Sequence, residues 1–420
     1  MSTPALVPWA IGANVYEVNI RQYTPEGTFQ AFSQHLPRLK EMGVAILWLM
    51  PITPISQLHR LGTLGSYYAC SSYVQINEEF GTLQDFKQLV QQAHALDMKL
   101  IIDWVANHTG WDHEWTIPHA DWYVKDAAGN FTEKNGWKDV IDLDYSKTEM
   151  REAMKAAMKF WVQEADIDGF RCDMAHLVPL DFWKEARAFC ETNKPLYWLA
   201  ECDQSDYHMV FNTSYAWGWM HATEKFHKGE GSLQDVRQVL HAFTQYPAGA
   251  NKLYFTSNHD ENSWNGTEYE KYGNAALAWA VFSCTWPGIP LLYSGQEGAL
   301  KKRLEFFNKD VIDWTATPSL AQFYQRLFQL RKRNAAIREG ELFILPSQQD
   351  DKVLLFIRKF QEQVVLILLN VSNESRVQVS VEHPWLPGKY RQLFSQLVYD
   401  FGVKENFELQ SGDYLVYEKV

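Results

Sequence analysis

A chain of 420 residues exceeds one ordinary domain, and its 46% hydrophobic content can fill a large core. A formal charge of −12 argues against nucleic acid or an anionic membrane surface as a partner. No apolar run reaches the roughly 18 residues of a membrane span, so no membrane partner is expected. The first residues carry neither a basic segment nor an apolar stretch of leader length, and the five cysteines lack metal-type spacing. Together these predict buried free thiols and a cytoplasmic location. Nothing in the sequence fixes an oligomeric state.

In chain order, residues 15–20 read as a strand. Over 28–42 a helical pattern follows, with Phe29, Phe32, Leu36 and Leu39 on one face, and Pro37 inside it predicts a kink. Residues 45–50 form an apolar strand. Thr82 and Asp85 make a loose capping box, Asp standing for the usual Glu or Gln, at the head of a helix facing inward through Leu83, Phe86, Val90 and Ala93. Strand 99–104 and helix 148–164 come next, then strand 169–174, a helix from Asp181 and strand 196–201. The sixth strand is the faintest, near 212–217. Ser232 and Asp235 open another helix, and strand 253–257, helix 274–284, strand 289–293 and helix 319–333 follow. Repeated strand–helix units of this length predict an α/β fold, a parallel sheet closed as a (β/α)8 TIM barrel. Beyond 339 the pattern turns to β-rich runs at 352–357, 364–370 and 414–420, a small antiparallel module.

Chemistry gathers where these strands end. In Gly169-Phe170-Arg171-Cys172-Asp173 an arginine and a carboxylate two residues apart point to one side of a strand. The fixed cation is expected to keep Asp173 ionised and acid-shifted, as a carboxylate nucleophile requires. The run Leu196-Tyr197-Trp198-Leu199-Ala200 ends in Glu201, whose apolar neighbours suit a general acid. Phe255-Thr256-Ser257-Asn258-His259-Asp260 closes another strand, and Asp103-Trp104-Val105-Ala106-Asn107-His108 closes an earlier one. Carboxylates at three strand ends, with arginine and histidine among them, suggest glycoside hydrolysis.

These four segments, in this order, resemble the signatures of the α-amylase family, glycoside hydrolase family 13. The segments at 43–52 and 142–146 resemble two weaker signatures, and the likeness spans about residues 10–335. It implies a barrel formed by 1–104 and 146–338, a short inserted domain B at 105–145 after strand three, and a C-terminal β domain C at 339–420. It implies Asp173 as nucleophile, Glu201 as acid/base, and Asp260 as a group steadying the sugar in the transition state. His108 and His259 would bind hydroxyls of the same ring, Arg171 would orient Asp173, and Asp103 would support Arg171. Tyr68, with Tyr67 beside it, resembles the stacking platform under the sugar; His176 stands where many family members carry lysine and would face the leaving-group side. No cofactor is needed for the chemistry. A structural calcium is implied through Asn107 and Asp142, whose oxygens suit that ion. The implied activity is retaining hydrolysis of α-1,4-linked glucans or maltooligosaccharides. The alternatives are an α-glucosidase, an α-1,6-active or glucosyl-transferring relative, and, more remotely, a non-catalytic sugar-binding scaffold. Segment 105–145 and a loop around 217–226 are expected to set the depth of the pocket, joined by Trp264. Of the 17 tryptophans and other aromatics, making 15% of the chain, about two-thirds are expected in the core.

Overall fold

The computed structural model describes residues 3–315 and 319–420; Met1 and Ser2, where the leader reading begins, lie outside the described residues. Eight strands form one closed parallel barrel: β1 (Val15–Val18), β2 (Ile46–Leu49), β3 (Lys99–Trp104), β4 (Gly169–Cys172), β5 (Tyr197–Ala200), β6 (Thr213–Tyr215), β7 (Asn251–Tyr254) and β8 (Ile289–Tyr293). Each pairs with the next in sequence, and Val15 opposite Leu291 closes the ring. Most of these strands are buried throughout, which is why they read as unbroken apolar runs rather than alternating ones. Gly169 opens β4 because a Cβ there would meet the carbonyl oxygen of Tyr197 at 2.0 Å. The close approach seats β4 against β5, the two strands that lead to Asp173 and Glu201.

The helices follow their caps. Thr82 and Asp85 form a full reciprocal capping box at the head of Leu83–Ala95, and Ser232 and Asp235 do the same for Leu233–Phe243. The pattern over 28–42 is not one kinked helix. It is two, Phe29–Ser33 and Leu36–Met42, with Pro37 in the first turn of the second. Proline lacks the N–H that would tie it back into the preceding turn but is well tolerated at a helix start, so the chain restarts there.

Seven tryptophans (Trp48, Trp104, Trp161, Trp183, Trp198, Trp219 and Trp279) are fully buried. Each removes about 150–250 Å² from water, roughly 4–6 kcal/mol of burial. The aromatic richness is therefore mostly core.

The C-terminal module has a six-stranded antiparallel sheet and a two-stranded pair. Its strands are β9 (Glu341–Ile344), β10 (Val353–Phe360), β11 (Gln363–Asn370), β12 (Val377–Glu382), β13 (Gly388–Gln392), β14 (Val398–Phe401), β15 (Lys404–Leu409) and β16 (Tyr414–Lys419). The large sheet runs β9-β10-β11-β16-β13-β14, and β12 pairs with β15. It has its own core of Val, Leu, Ile and Tyr side chains and docks on the barrel through Phe356 against Trp286 and Phe394 against Phe323.

Candidate active site

At the carboxyl end of the barrel, Arg171 is fully buried and serves three carboxylates. Its Nη1 donates to Asp103 at 2.9 and 3.1 Å and to Asp173 Oδ1 at 3.0 Å. Nη2 lies 2.8 Å from Glu201 Oε2, a charge contact without hydrogen-bond alignment. Nε donates to the hydroxyl of Tyr215 at 3.1 Å, and the guanidinium lies 4.9 Å from the Trp48 ring centroid. Trp48 also donates its indole N–H to Asp103 at 3.2 Å.

Strand β4 ends at Cys172, yet Asp173 stays in register because its N–H donates to the Trp104 carbonyl at 3.0 Å. The next residue, Met174, takes a left-handed backbone with φ 40°. For a non-glycine residue this costs roughly 1–2 kcal/mol. The turn aims the Met174 N–H at Glu201 Oε2, 2.9 Å away, so the backbone after one carboxylate fixes the other.

The expected acid shift of Asp173 is not found. Burial, and then the charges of Glu201, Asp103 and Asp260, outweigh Arg171 and hold the Asp173 carboxyl well above the usual carboxylate range. Asp103 is likewise raised by burial, against the pull of Arg171. One guanidinium cannot neutralise three buried carboxylates, so the cluster has a strong hold on a proton.

His259 and Tyr68 form a second layer. Their rings stack at 5.3 Å and 17°, and the Tyr68 hydroxyl lies 2.8 Å from His259 Nε2 and 3.0 Å from Asp103. Asp260 Oδ2 lies 3.2 Å from the same Nε2, and Glu17 lies 2.5 Å from Nδ1. Burial opposes a charge on His259, but Asp260 and Glu17 together raise its pKa well above the ordinary value. Half-exposed at the cavity mouth and partly desolvated there, Asp260 is nonetheless held low by His259. His108 is buried and tilted against Trp137 at 5.3 Å; burial alone pulls it down to about 4, leaving it neutral.

These groups open into a cavity of about 480 Å³. Asp173, Glu201, Asp260, Tyr68 and His108 line it, together with the aromatic side chains of Trp137, Trp264, Phe306 and Phe307.

The sequence over 12–139 and 116–315 matches the family model described as "Alpha amylase, catalytic domain", and 344–412 matches "Alpha amylase, C-terminal all-beta domain". The chain belongs to the α-amylase family. It is an α-amylase-like glycoside hydrolase. It is similar to the crystal structure of a noncanonic maltogenic alpha-amylase, AmyB, from Thermotoga neapolitana: 30% identity, TM-score 0.90, covering 98% of this chain and 99% of that one. An alpha-amylase from Lactobacillus plantarum is 27% identical with a TM-score of 0.89, covering 98% of this chain and all of the other. Alpha-amylase 3 of Dictyoglomus thermophilum is 23% identical over 87% of this chain and 86% of its own length.

Within this α-amylase-family site the four signature segments converge on one cavity, and Asp103 meets Arg171 as expected. The slack at 67–68 resolves onto Tyr68, because the Tyr67 hydroxyl turns away to donate to Asn19. His176 stands apart: it is half-buried on the turn Ala175–Leu177, outside the cavity lining, with Nδ1 buried and unpartnered. Residues 217–226 are not a loop but part of the helix Trp217–Lys228, and they do not line the cavity, whereas Trp264 does. Glu17, Trp48, Tyr215, Phe306 and Phe307 were not foreseen. Segment 105–145 holds two short paired strands, His108–Gly110 and Val140–Asp142, and contributes Trp137 to the cavity.

Asn107 and Asp142 come together at the base of that segment. Asp142 Oδ1 is buried without a hydrogen-bond partner, and burial raises its carboxyl despite the Asn107 amide. A hard, oxygen-seeking cation fits this pair. Among the described residues no three His, Cys, Asp or Glu side chains gather into a metal cluster, so further ligands would have to be carbonyls or water. No helix among the described residues is long and apolar enough to cross a membrane.

Proposed function

We propose that this chain hydrolyses α-1,4-linked glucans and maltooligosaccharides, starch fragments included, with retention at the anomeric carbon. The observation that carries this reading is the pair of carboxylates, Asp173 and Glu201, held on one guanidinium at the floor of a sugar-sized cavity. Sharing one cation supports the closer of the two carboxylate spacings that glycosidases use, the one that leaves no room for a water between nucleophile and sugar. Asp173 attacks the anomeric carbon, forming a glycosyl ester, while Glu201 protonates the departing oxygen. Glu201 then takes a proton from water as the ester is cleaved. Asp260, His259 and His108 bind hydroxyls of the reacting sugar and count most where those contacts tighten in the transition state. Tyr68 stacks beneath the ring, and His176 serves the leaving-group side only if it swings from its present place. That its relatives are an alpha-amylase and maltogenic alpha-amylases supports the substrate class.

The test is a product time course on maltoheptaose, isomaltose, trehalose and soluble starch, with the Asp173→Asn variant as blank. Mid-length maltooligosaccharides appear early if the reading holds. Glucose alone, or cleavage confined to isomaltose or trehalose, moves it to an exo-acting or differently linked activity. Inertness on all four would revive the scaffold.

The reading extends to location and metal. All five cysteines are free and buried, which supports a reducing, cytoplasmic setting. A structural calcium would sit on Asn107 and Asp142, next to His108, whose Nδ1 lies 3.2 Å from the Asn107 amide, and would supply rigidity to the inserted segment. Chelation is therefore expected to lower Tm by a few degrees and readdition of calcium to restore it. A Tm indifferent to both treatments removes the ion.

A further inference from the structure

We propose that Glu17 is a positioning residue for this reaction: from β1 it grips Nδ1 of His259 and so holds Nε2 facing Tyr68, Asp260 and the sugar. The inference rests on the hydrolytic reading for its consequence, but its structural half stands alone. Glu17 and His259 are both buried, and their 2.5 Å contact joins opposite ends of the barrel sequence, 242 residues apart. The ring has little freedom left. It stacks on Tyr68, meets Trp48 edge-on at 5.9 Å and 83°, and has both nitrogens engaged.

Glu17 is an expensive residue for a plain packing role. It lies between the buried Tyr16 and Val18 on a strand with no exposed face, and its Oε2 is buried without a partner. A buried carboxylate with a single engaged oxygen is tolerated where the cation it faces must be kept. The charged and titratable groups around the pair are Asp103 on β3, Arg171 on β4, Tyr215 on β6, Tyr293 on β8, and Tyr68 and Asp260 in the mouth loops. Of these, Asp260 and Glu17 hold the proton on His259 against burial. A doubly protonated ring donates from both nitrogens: Nδ1–H goes to Glu17 and Nε2–H to the Tyr68 hydroxyl, with Asp260 3.2 Å from the same nitrogen as counter-charge. Without Glu17 the ring sheds that proton more easily, and Asp260 loses its counter-charge.

The experiment has two arms. Nitrogen-15 NMR of the imidazole in the substrate-free wild type is expected to show His259 doubly protonated from about pH 6 to pH 8, well above the ordinary pKa of about 6.5. Titration of the wild-type ring near 6.5 overturns the proposal, whether or not any substrate is cleaved, and so separates its failure from that of the hydrolytic reading. In the second arm, Glu17→Gln is expected to lower kcat on maltoheptaose roughly ten- to a hundredfold. KM should stay within a few-fold, and the alkaline limb of the pH profile should move to lower pH. Glu17→Asp, which keeps the charge, is expected to recover part of the loss. A folded Glu17→Gln enzyme with unchanged kcat and pH profile overturns the proposal. If that variant fails to fold, the wild-type titration still decides.

Discussion

Replacing Asp173 by asparagine is expected to cut kcat on maltoheptaose by about 10⁴-fold or more while leaving the fold intact. The amide matches the carboxylate in shape and can still accept from Arg171 Nη1, so the constellation around the guanidinium survives. It cannot form the glycosyl ester. Stability gives an independent check on the electrostatics. The folded protein holds Asp173 with a raised pKa, through burial and the neighbouring Glu201. Such a group stabilises the fold below its unfolded pKa, about 3.9, and loses that contribution as pH rises through the folded value. Ionised Asp173 is thus a burden near neutrality that asparagine removes. The variant's Tm should equal or exceed that of the wild type at about pH 8, and the gap should close toward about pH 4. Substantial residual hydrolysis would remove Asp173 as nucleophile. A Tm that drops most at alkaline pH would contradict the charge account.

The same residue marks how far the sequence carries the argument. Arg171 is two positions away, so the chain itself suggests a lowered pKa. The groups that raise it besides burial, Glu201, Asp103 and Asp260, come from other βα units and become neighbours only when the barrel closes. Barrel strands were legible because burial on both faces writes them as continuous apolar runs, and β3 and β8 begin and end where the pattern places them. The weakest strand, β6, is three residues long and reads Thr-Ser-Tyr, which has little apolar signal to find. Pro37 reads as a kink rather than a break because apolar periodicity runs across the gap at 34–35. Within the site, the carboxylates and histidines that close strands are legible from their motifs, although His176 shares one and lies outside the cavity, and partners brought in by topology carry no such mark. Glu17 and Trp48 look like any strand residues until His259 and Asp103 arrive beside them. Phe306 and Phe307 sit in an irregular segment with no period to read, yet Phe306 stacks on Tyr68 at 6.2 Å and 18°.

Glu201→Gln should separate the two halves of the reaction. Glutamine can still accept from the Met174 N–H through its oxygen, so the geometry set by the left-handed turn is kept, but it can neither give nor take a proton. On maltoheptaose, whose leaving sugar oxygen needs protonation, the loss is expected to be about 10²–10⁴-fold. On an α-maltosyl fluoride the leaving group departs without acid assistance, so glycosylation of Asp173 proceeds and the ester accumulates, because no base activates water. A burst of fluoride followed by a slow steady state is the expected trace. Azide, a nucleophile that needs no base, should accelerate the slow phase and yield the α-glycosyl azide, the configuration that a second inversion at the anomeric carbon must give. Equal losses on both substrates would strip Glu201 of the acid/base role. A β-azide would refute retention itself, since the displacement would then have occurred once, with no ester on Asp173 in between.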